Sequence, residues 1–356
     1  MPAAHTKTEV TRMMSDVEIA TKEHLIPVAV NQILNSNIIM KRLHKRSRPW
    51  SDGKRISFNL KYGAGEVKEK TTGYEEIVVQ IFDSFEKGYI GGQYLEAAYG
   101  INGLDVDVFN TSRMQFLNLT LEKVETMRDD FKKKHSEMLF RSSGSDVSRY
   151  PSFKDMFTTL TTSQEICEIA PDDLEIGSTG EYAFDWLPEV YDHTTAAPTY
   201  ANLTDPTSTY FIERMLKKAI SNIGEKTGHK PTLIICTAHV WDAYDEVLTD
   251  RQIATHAEKR YDGGYDIIKL RGVDIVADSW VEGGFQQPGA TATCYIINEN
   301  FLQLFHAPKL NHKWIPWEQM ETQYVYRTMM RHFGGIAPTR RDVHGSIIGL
   351  PSEHTS

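Results

Sequence analysis

Cys236 and His239 come closest, by residue type and spacing, to a reactive site. They lie three positions apart at the end of a short apolar segment, where a cysteine nucleophile or half of a metal site can form. A structural zinc site needs about four ligands, and no second pair of ligands follows at a suitable spacing. Because free cysteine packs as a small hydrophobic residue, we interpret Cys236 as a buried core residue.

Four later histidines offer further imidazole groups: His306, His312, His332 and His344. They can act together only if the fold brings them together, and their spacing in the sequence does not predict that. Three acidic residues fit the exposed face of a helix better than a carboxylate pair: Asp242, Asp245 and Glu246.

No motif with a defined catalytic meaning is present. The chain has no phosphate-binding glycine loop of the Walker type, no G-x-S-x-G elbow and no H-E-x-x-H pair. Gly88–Gly92 contains glycines, but no strand is predicted directly before it and no helix start after it, which favours a plain turn. We therefore predict no catalytic residue, no metal site and no cofactor.

The composition of the 356 residues is that of an ordinary globular chain, with 40% apolar and 24% charged residues. A formal net charge of −9 argues against a global bias toward nucleic-acid binding. Cys167, Cys236 and Cys294 are too far apart for a disulfide framework, which indicates a reducing compartment. No apolar run approaches the roughly 18 residues of a transmembrane helix, so we expect no membrane segment.

The elements that would position these residues begin with a predicted β-hairpin over residues 54–82. Arg55–Tyr62 alternates polar and apolar residues with a period of two, which is typical of a strand with one covered face. Glycines follow as a turn, and Tyr74–Phe82 resumes as an apolar second strand. The Gly- and Tyr-rich residues 88–103 are predicted to be irregular.

Two isolated strands are marginally stable in water, so this hairpin needs a surface to cover its apolar face. We interpret that surface as another copy of the chain, which would cover Ile56, Phe58 and Leu60 while lysines pair at the rim. The predicted intersubunit contact residues are Trp50, Lys54, Ile56, Phe58, Leu60, Lys61, Lys68 and Lys70.

A long amphipathic helix is predicted from about residue 112 to 140. Apolar residues recur at steps of three and four between Met114 and Met138. Such a helix would be about 42 Å long at about 1.5 Å per residue, which suits a helix that lies along a sheet. A coiled coil is the alternative, but Arg128 and His135 interrupt its heptad pattern.

The N-terminal residues 1–24 contain too few apolar side chains to hold a core and are predicted to form an arm. Leu25–Met40 can form a short helix, and the basic stretch Lys41–Arg48 follows it. No aromatic residues are interleaved there to stack on bases, so a solvated connector is favoured over a nucleic-acid contact. The predicted contact residues of the arm are Lys41, Arg42, Lys45 and Arg46.

The rest of the chain mixes helices and strands without regular βαβ alternation, which predicts an α+β fold. The predicted helices are Thr209–Gly224 and Ala238–Leu248. A buried strand is predicted at Pro231–Cys236, and strand pairs at Ile267–Leu270 with Val273–Ala277 and at Thr293–Asn298 with Phe301–His306.

Three short motifs accompany this order of elements: Arg271–Asp278 reads R-G-V-D-I-V-A-D, Tyr295–Asn298 is followed by Phe301, and Thr339–Gly345 is basic. In that order, they resemble the R-G-x-x-V-V-x-D stretch, the Y-x-x-N strand end and the basic C-terminal strand of tailed-bacteriophage major capsid proteins. In those proteins, as in this sequence, the motifs follow a basic arm, a hairpin and a long helix. The resemblance covers about residues 25–350 and implies the α+β fold of the Hong Kong 97-type capsid proteins.

This resemblance implies a division of the chain into four parts. The N-terminal arm would comprise residues 1–49 and an extended loop, formed by the hairpin, residues 50–83. The peripheral domain would comprise residues 84–159 and 311–356, with the long helix as its spine. The axial domain would comprise residues 160–310.

The resemblance also implies a structural subunit of an icosahedral viral capsid, which self-assembles into hexamers and pentamers around double-stranded DNA without sequence-specific binding. Expected partners are further copies of the chain, a separate scaffolding protein, a portal and, in some shells, a decoration protein. The expected location is the virion, assembled in the host cytoplasm. Some members crosslink a loop lysine to a late asparagine, but no asparagine follows Asn311, which predicts a non-covalent shell.

Two alternatives stay open. A cellular nanocompartment shell protein, which encloses enzyme cargo, would have the same fold. A cytoplasmic α+β enzyme would use Cys236 or one of the histidines, although the chain lacks a catalytic motif.

Overall fold

The computed structural model describes residues 19, 21–34, 37–50, 53, 55–61, 85–104, 113–141, 151–158, 165–170, 175–176, 181–182, 186–250, 260–262 and 265–352. The chain divides into two compact units. The first unit comprises Met1–Asp52, Gly92–Leu139 and Leu304–Gly335, and the second comprises Gly53–Gly91, Phe140–Gln303 and Ile336–Ser356. Within the described ranges, no helix is long and apolar enough to span a membrane.

The helices, in chain order, are α1 (Ile26–Leu34), α2 (Ile38–His44), α3 (Arg113–Phe140), α4 (Phe153–Phe157), α5 (Tyr200–Thr204), α6 (Ile212–Thr227) and α7 (Ala238–Asp250). The strands are β1 (Arg48–Pro49), β2 (Arg55–Lys61), β3 (Phe85–Gly91), β4 (Gln93–Asn102), β5 (Glu175–Ile176), β6 (Glu181–Tyr182), β7 (Glu189–Asp192), β8 (Leu233–Cys236), β9 (Arg260–Asp262), β10 (Tyr265–Leu270), β11 (Val273–Ala277), β12 (Thr291–Ile297), β13 (Leu302–His306), β14 (Lys313–Gln319), β15 (Val325–Pro338) and β16 (Gly345–Pro351).

The first unit is built on a five-stranded sheet with the order β1-β13-β15-β14, in which β4 also pairs with β15. Helix α3 confirms the predicted long helix to within about one residue at its start. Its buried stripe of Val124, Met127 and Phe131 packs in one core with Leu95 of β4 and Met330 of β15. Each such buried side chain contributes about 1.5–3 kcal/mol, which holds the helix on the sheet.

The second unit contains a seven-stranded sheet with the order β7-β16-β12-β8-β11-β10-β9. Helices α6 and α7 bury their apolar faces in the same core as this sheet. Helix α6 ends at Thr227, capped by Gly228 with a φ of +70°, and not at Gly224 as expected. The predicted strand pair around Arg271 and Gly272 is confirmed, since β10 and β11 pair across that turn. Positive φ angles of 52° and 80° at these two residues give a tight turn that suits antiparallel strands.

Two predictions for the region after β2 are wrong. Residues 88–103, expected to be irregular, belong largely to β3 and β4, because pairing with β2 and β15 outweighs the low strand propensity of glycine. Gly88–Gly92 is therefore not a plain turn. Strand β2 is confirmed, but its partner is β3; the predicted second strand, Tyr74–Phe82, lies outside the described residues.

Two expectations near the C-terminus are also corrected. Strands β12 and β13 do not pair with each other: β12 pairs with β8 and β16, while β13 belongs to the sheet of the first unit. A 3-10 turn at Glu299–Phe301 separates them in place of a hairpin turn. Thr339–Gly345 is not a strand but the connection that ends where β16 begins. Ile336–Ser356 belongs to the second compact unit; the expected peripheral and axial domains stay a prediction.

Candidate functional site

The β2–β3 hairpin is the first candidate assembly element. Its strands are antiparallel, with Ile56 opposite Ile90 and Phe58 opposite Gly88. Side chains alternate between the two faces of this ribbon, so Ile56, Phe58, Leu60 and Ile90 share one face. Ile56, Leu60 and Ile90 are buried and Phe58 is half-buried.

This apolar face is covered within the second unit. The Phe58 ring lies 6.3 Å from the ring of the fully buried Trp186, measured between centroids. The Tyr89 backbone N–H donates to the Cys167 carbonyl at 2.8 Å, and Arg55 pairs with Glu168 at 2.5 Å. We therefore correct the expectation that another copy of the chain covers Ile56 and Leu60, because both are buried in their own unit.

The other predicted hairpin contacts fall into two groups. Trp50 lies in the first unit, where its ring packs edge-on against Phe333 at 4.9 Å and its backbone N–H donates to the His306 carbonyl. Lys61 ends β2, and its side chain lies outside the described part of the chain. Three of the predicted lysines lie outside the described residues altogether: Lys54, Lys68 and Lys70.

The basic arm residues lie on and just after α2. The Asn37 side chain caps this helix by accepting a hydrogen bond from the Ile39 N–H at 2.9 Å. One face of α2 is buried, and the basic side chains lie away from it: Lys41 and Arg42 are half-buried, while Lys45 and Arg46 are exposed. The exposed pair presents positive charge to solvent at the C-terminal end of the helix.

Cys236 is the buried core residue that its sequence context predicts. Its thiol donates to the Val276 carbonyl at 3.7 Å. A hydrogen bond with Cys294, together with burial, raises the pKa of Cys236 well above its ordinary value, which opposes formation of a thiolate nucleophile. The His239 ring lies beside the Tyr200 ring at 4.5 Å. The acidic residues of α7 are exposed at Asp242 and Glu246 and half-buried at Asp245.

Three buried histidines of the first unit meet in a cluster that the sequence did not predict. His135, His312 and His332 each offer a ring nitrogen, and these atoms lie within 4.8 Å of one another. The Nε2 atoms of His135 and His312 are 3.3 Å apart. The ring centroid of His332 is 5.0 Å from that of His135 and 4.3 Å from that of His312. We call this set the histidine cluster.

Local structure explains why these polar rings are buried. His135 follows Phe131 by one helical turn, so it continues the buried stripe of α3. His332 follows the buried Met330 by two residues and therefore lies on the same face of β15. His312 has a φ of +50°, an uncommon backbone conformation for a residue with a side chain. The continuation of the α3 stripe through His135 was the one sequence signal for the cluster.

The environment keeps these imidazoles neutral near pH 7. Burial lowers the pKa of His135 to about 4. Burial, together with the neighbouring imidazoles, also lowers the pKa of His312 and of His332 well below the ordinary value. His44 and His306 form a second imidazole pair in the same unit, with centroids 6.3 Å apart. Neutral imidazoles carry the free nitrogen lone pair that a metal ion requires.

Of the four histidines that the sequence analysis considered together, His312 and His332 belong to the histidine cluster. His306 pairs with His44 nearby, while His344 belongs to the second unit, where it stacks on Phe157 at 4.5 Å.

No protein-family profile and no curated protein matches the sequence. Solved structures match its fold. The capsid asymmetric unit of cyanophage A-1(L) gives a TM-score of 0.57 at 12% identity and covers 88% of this chain and 92% of that chain. The holo-SrpI encapsulin complex from Synechococcus elongatus PCC 7942 gives a TM-score of 0.50 at 11% identity and covers 87% of this chain and 86% of that chain. The capsid of a native GTA particle gives a TM-score of 0.51 at 8% identity, with coverages of 86% and 89%.

These three matches each cover more than four fifths of this chain. At identities this low they establish the fold and not the function. The predicted α+β architecture is confirmed, and this chain has the Hong Kong 97-type capsid fold.

Proposed function

We propose that this chain is the structural subunit of an icosahedral viral capsid and has no enzymatic activity. It would self-assemble into hexamers and pentamers that enclose double-stranded DNA without reading its sequence. The observation that supports this most strongly is coverage: the match to the cyanophage capsid extends over 88% of this chain and 92% of that chain.

The hairpin has two parts in this proposal. The base, β2 and β3, anchors the element to its own unit through Ile56 and Leu60. Residues 62–84 connect Lys61 to Phe85 in the sequence, and these two residues pair at the end of the ladder. We assign the contact with a neighbouring subunit to these 23 residues, which include Lys68 and Lys70.

The arm residues Lys45 and Arg46 are assigned to a second intersubunit contact. Both are exposed and positive, and the chain as a whole has a net charge of −9. An acidic surface on a neighbouring copy would attract such an arm, and salt would screen that attraction. The exposed Val28 of α1, at 55% relative exposure, adds an apolar position to the same N-terminal region.

The remaining partners follow from the shell role. We propose a separate scaffolding protein and a portal, with a decoration protein in the finished particle where one is used. The expected location is the virion, after assembly in the host cytoplasm.

The test replaces residues 62–84 by Asn-Gly, a dipeptide that closes two-residue hairpins, so that Lys61 and Phe85 remain paired. We expect a folded subunit with an unchanged melting temperature that no longer forms closed particles in electron micrographs. The matched control places the same dipeptide in the β10–β11 turn, in place of Arg271-Gly272, and should still assemble. Closed regular particles from the loop variant would contradict the proposal.

A cellular nanocompartment shell protein is the second candidate, and the match to the encapsulin with a TM-score of 0.50 favours keeping it. The contents of particles from the natural source distinguish the two. Nuclease-protected double-stranded DNA would support the capsid, whereas enclosed protein cargo without DNA would support the compartment. The cytoplasmic enzyme is disfavoured, because the thiol of Cys236 is buried and protonated.

A further inference from the structure

We propose that His135, His312 and His332 form a binding site for a divalent transition-metal ion of the zinc class within the first unit. Three imidazole nitrogens would bind the ion, and a solvent molecule would supply the fourth ligand. The site would join α3 to the start of β14 and to β15, three segments that are distant in sequence. This inference does not depend on the proposed shell function.

The nitrogen geometry fits a tetrahedral ion. Two ligands about 2.0–2.1 Å from a tetrahedral zinc ion lie about 3.3–3.4 Å apart. The Nε2 atoms of His135 and His312 already have that separation, at 3.3 Å. All three ligand nitrogens lie within 4.8 Å of one another. The third nitrogen must therefore approach the other two by at most about 1.5 Å, which a small rotation of one imidazole provides.

Asn311 orients one of the ligands. The Nδ1 of His312 lies 3.0 Å from the Asn311 Oδ1, which can only accept a hydrogen bond. This contact places the ring proton of His312 on Nδ1 and leaves the Nε2 lone pair directed at the cluster. A hydrogen-bonded outer partner of this kind is usual for histidines that bind metal ions.

A second, independent observation is the polar atom that the protein leaves unsatisfied. The Nδ1 of His332 is buried and has no hydrogen-bond partner among the described residues. A buried polar atom of this kind costs about 1–3 kcal/mol unless something binds it. A metal ion bound at Nδ1 would satisfy that nitrogen directly.

Plain packing of three aromatic rings is the competing explanation. Phe131 contacts the His312 ring edge-on at 5.8 Å, as it would in an ordinary core. An N–H···N hydrogen bond between His135 and His312 would also explain their 3.3 Å separation, but neither it nor apolar packing accounts for the αL backbone of His312 or for the third imidazole beside the pair. Such strained residues occur often at ligand sites, which agrees with a ligand role for His312.

The experiment uses the full-length chain, freed of metal by dialysis against a chelator. Cobalt(II) serves as the optical probe for tetrahedral nitrogen coordination, and zinc is added in a parallel thermal melt. We expect one bound ion per chain, the intense visible bands of tetrahedral cobalt and a rise in melting temperature that grows with zinc concentration. His135→Gln should abolish all three effects, whereas the matched control His239→Gln, in the second unit, should retain them.

Asn311→Ala provides a variant that leaves all three ligands in place and avoids a large change in the core. Loss of its hydrogen bond should weaken zinc affinity about 10–100-fold while the metal-free melting temperature stays near that of the wild type. The proposal is overturned if the wild type shows neither tetrahedral cobalt bands nor a zinc-dependent melting temperature. It is equally overturned if His135→Gln binds cobalt as tightly as the wild type.

Discussion

The ring of Phe58 lies across the backbone of Gly88, its partner in the β2–β3 ladder, so that a Cβ at Gly88 would sit 2.5 Å from Phe58 Cζ. The same Cβ would also lie 3.0 Å from Ile169 Cδ1. The absence of a side chain at Gly88 therefore lets the hairpin base close onto its own unit. This relationship makes the base an anchor, which agrees with our proposal that residues 62–84 form the assembly contact.

Gly88→Ala tests this anchor. The added methyl group must displace the Phe58 ring, and overpacking of this kind costs about 1–3 kcal/mol of unfolding free energy. Denaturant unfolding of the unassembled subunit measures the loss. The matched control is Gly224→Ala inside α6, where nothing lies within 4 Å of the new Cβ; it should gain up to about 1 kcal/mol. A Gly88→Ala subunit as stable as the wild type would show that Phe58 does not lock the hairpin.

His344 should make the second unit sensitive to acid. Its Nδ1 accepts the Asn298 backbone N–H at 3.2 Å, and burial lowers the pKa of the ring to about 3. Between about pH 6.5, the ordinary histidine pKa, and about pH 3, the unfolded chain binds a proton that the folded chain does not. The contribution of neutral His344 to the unfolding free energy is therefore fully present above about pH 6.5. It falls as the pH decreases through this window, by up to about 1.4 kcal/mol per pH unit.

The measurement is the difference in unfolding free energy between the wild type and His344→Gln at several values between about pH 7 and pH 4. A glutamine oxygen can still accept the Asn298 N–H, so the variant should fold and show a shallower loss of stability with acid. His229→Gln, at an exposed position of the same unit, is the control and should follow the wild type. Parallel curves for all three proteins would contradict the assignment of a buried neutral His344.

Shell cohesion should be non-covalent. The chain contains no asparagine after Asn311, so a late asparagine is missing as a partner for a loop lysine. Boiled and reduced particles should give one band at the monomer mass of 40.6 kDa in denaturing electrophoresis. Ladders of higher mass that survive this treatment would disprove the prediction.

Predictions from the sequence succeeded where the pattern is long and local. The start of α3 was predicted to within about one residue, because apolar residues recur at steps of three and four from Met114 to Met138. Strands β3 and β4 were missed because their glycines and tyrosines look like loop composition. Their strand character comes from pairing with β2 and with β15, and β15 lies more than 200 residues away from β4.

The sequence wrongly predicted that β12 pairs with β13, and it did not predict the histidine cluster. Both depend on contacts between residues that are distant in sequence. Asn298-Glu299-Asn300 has the composition of a hairpin turn, yet β12 and β13 take partners in different sheets. His135 and His312 are 177 positions apart, and only the tertiary fold brings their Nε2 atoms to 3.3 Å. Sequence periodicity places His135 on the buried stripe of α3 but says nothing about which side chains it meets there.

Electron cryo-microscopy of the purified full-length protein tests the central claim most directly, because the proposed function is an assembly. We predict closed icosahedral shells in which subunits with this fold form both hexamers and pentamers, and in which density for residues 62–84 reaches a neighbouring subunit. A protein that remains a monomer or forms only open aggregates, under conditions in which it is folded and concentrated, would contradict the account.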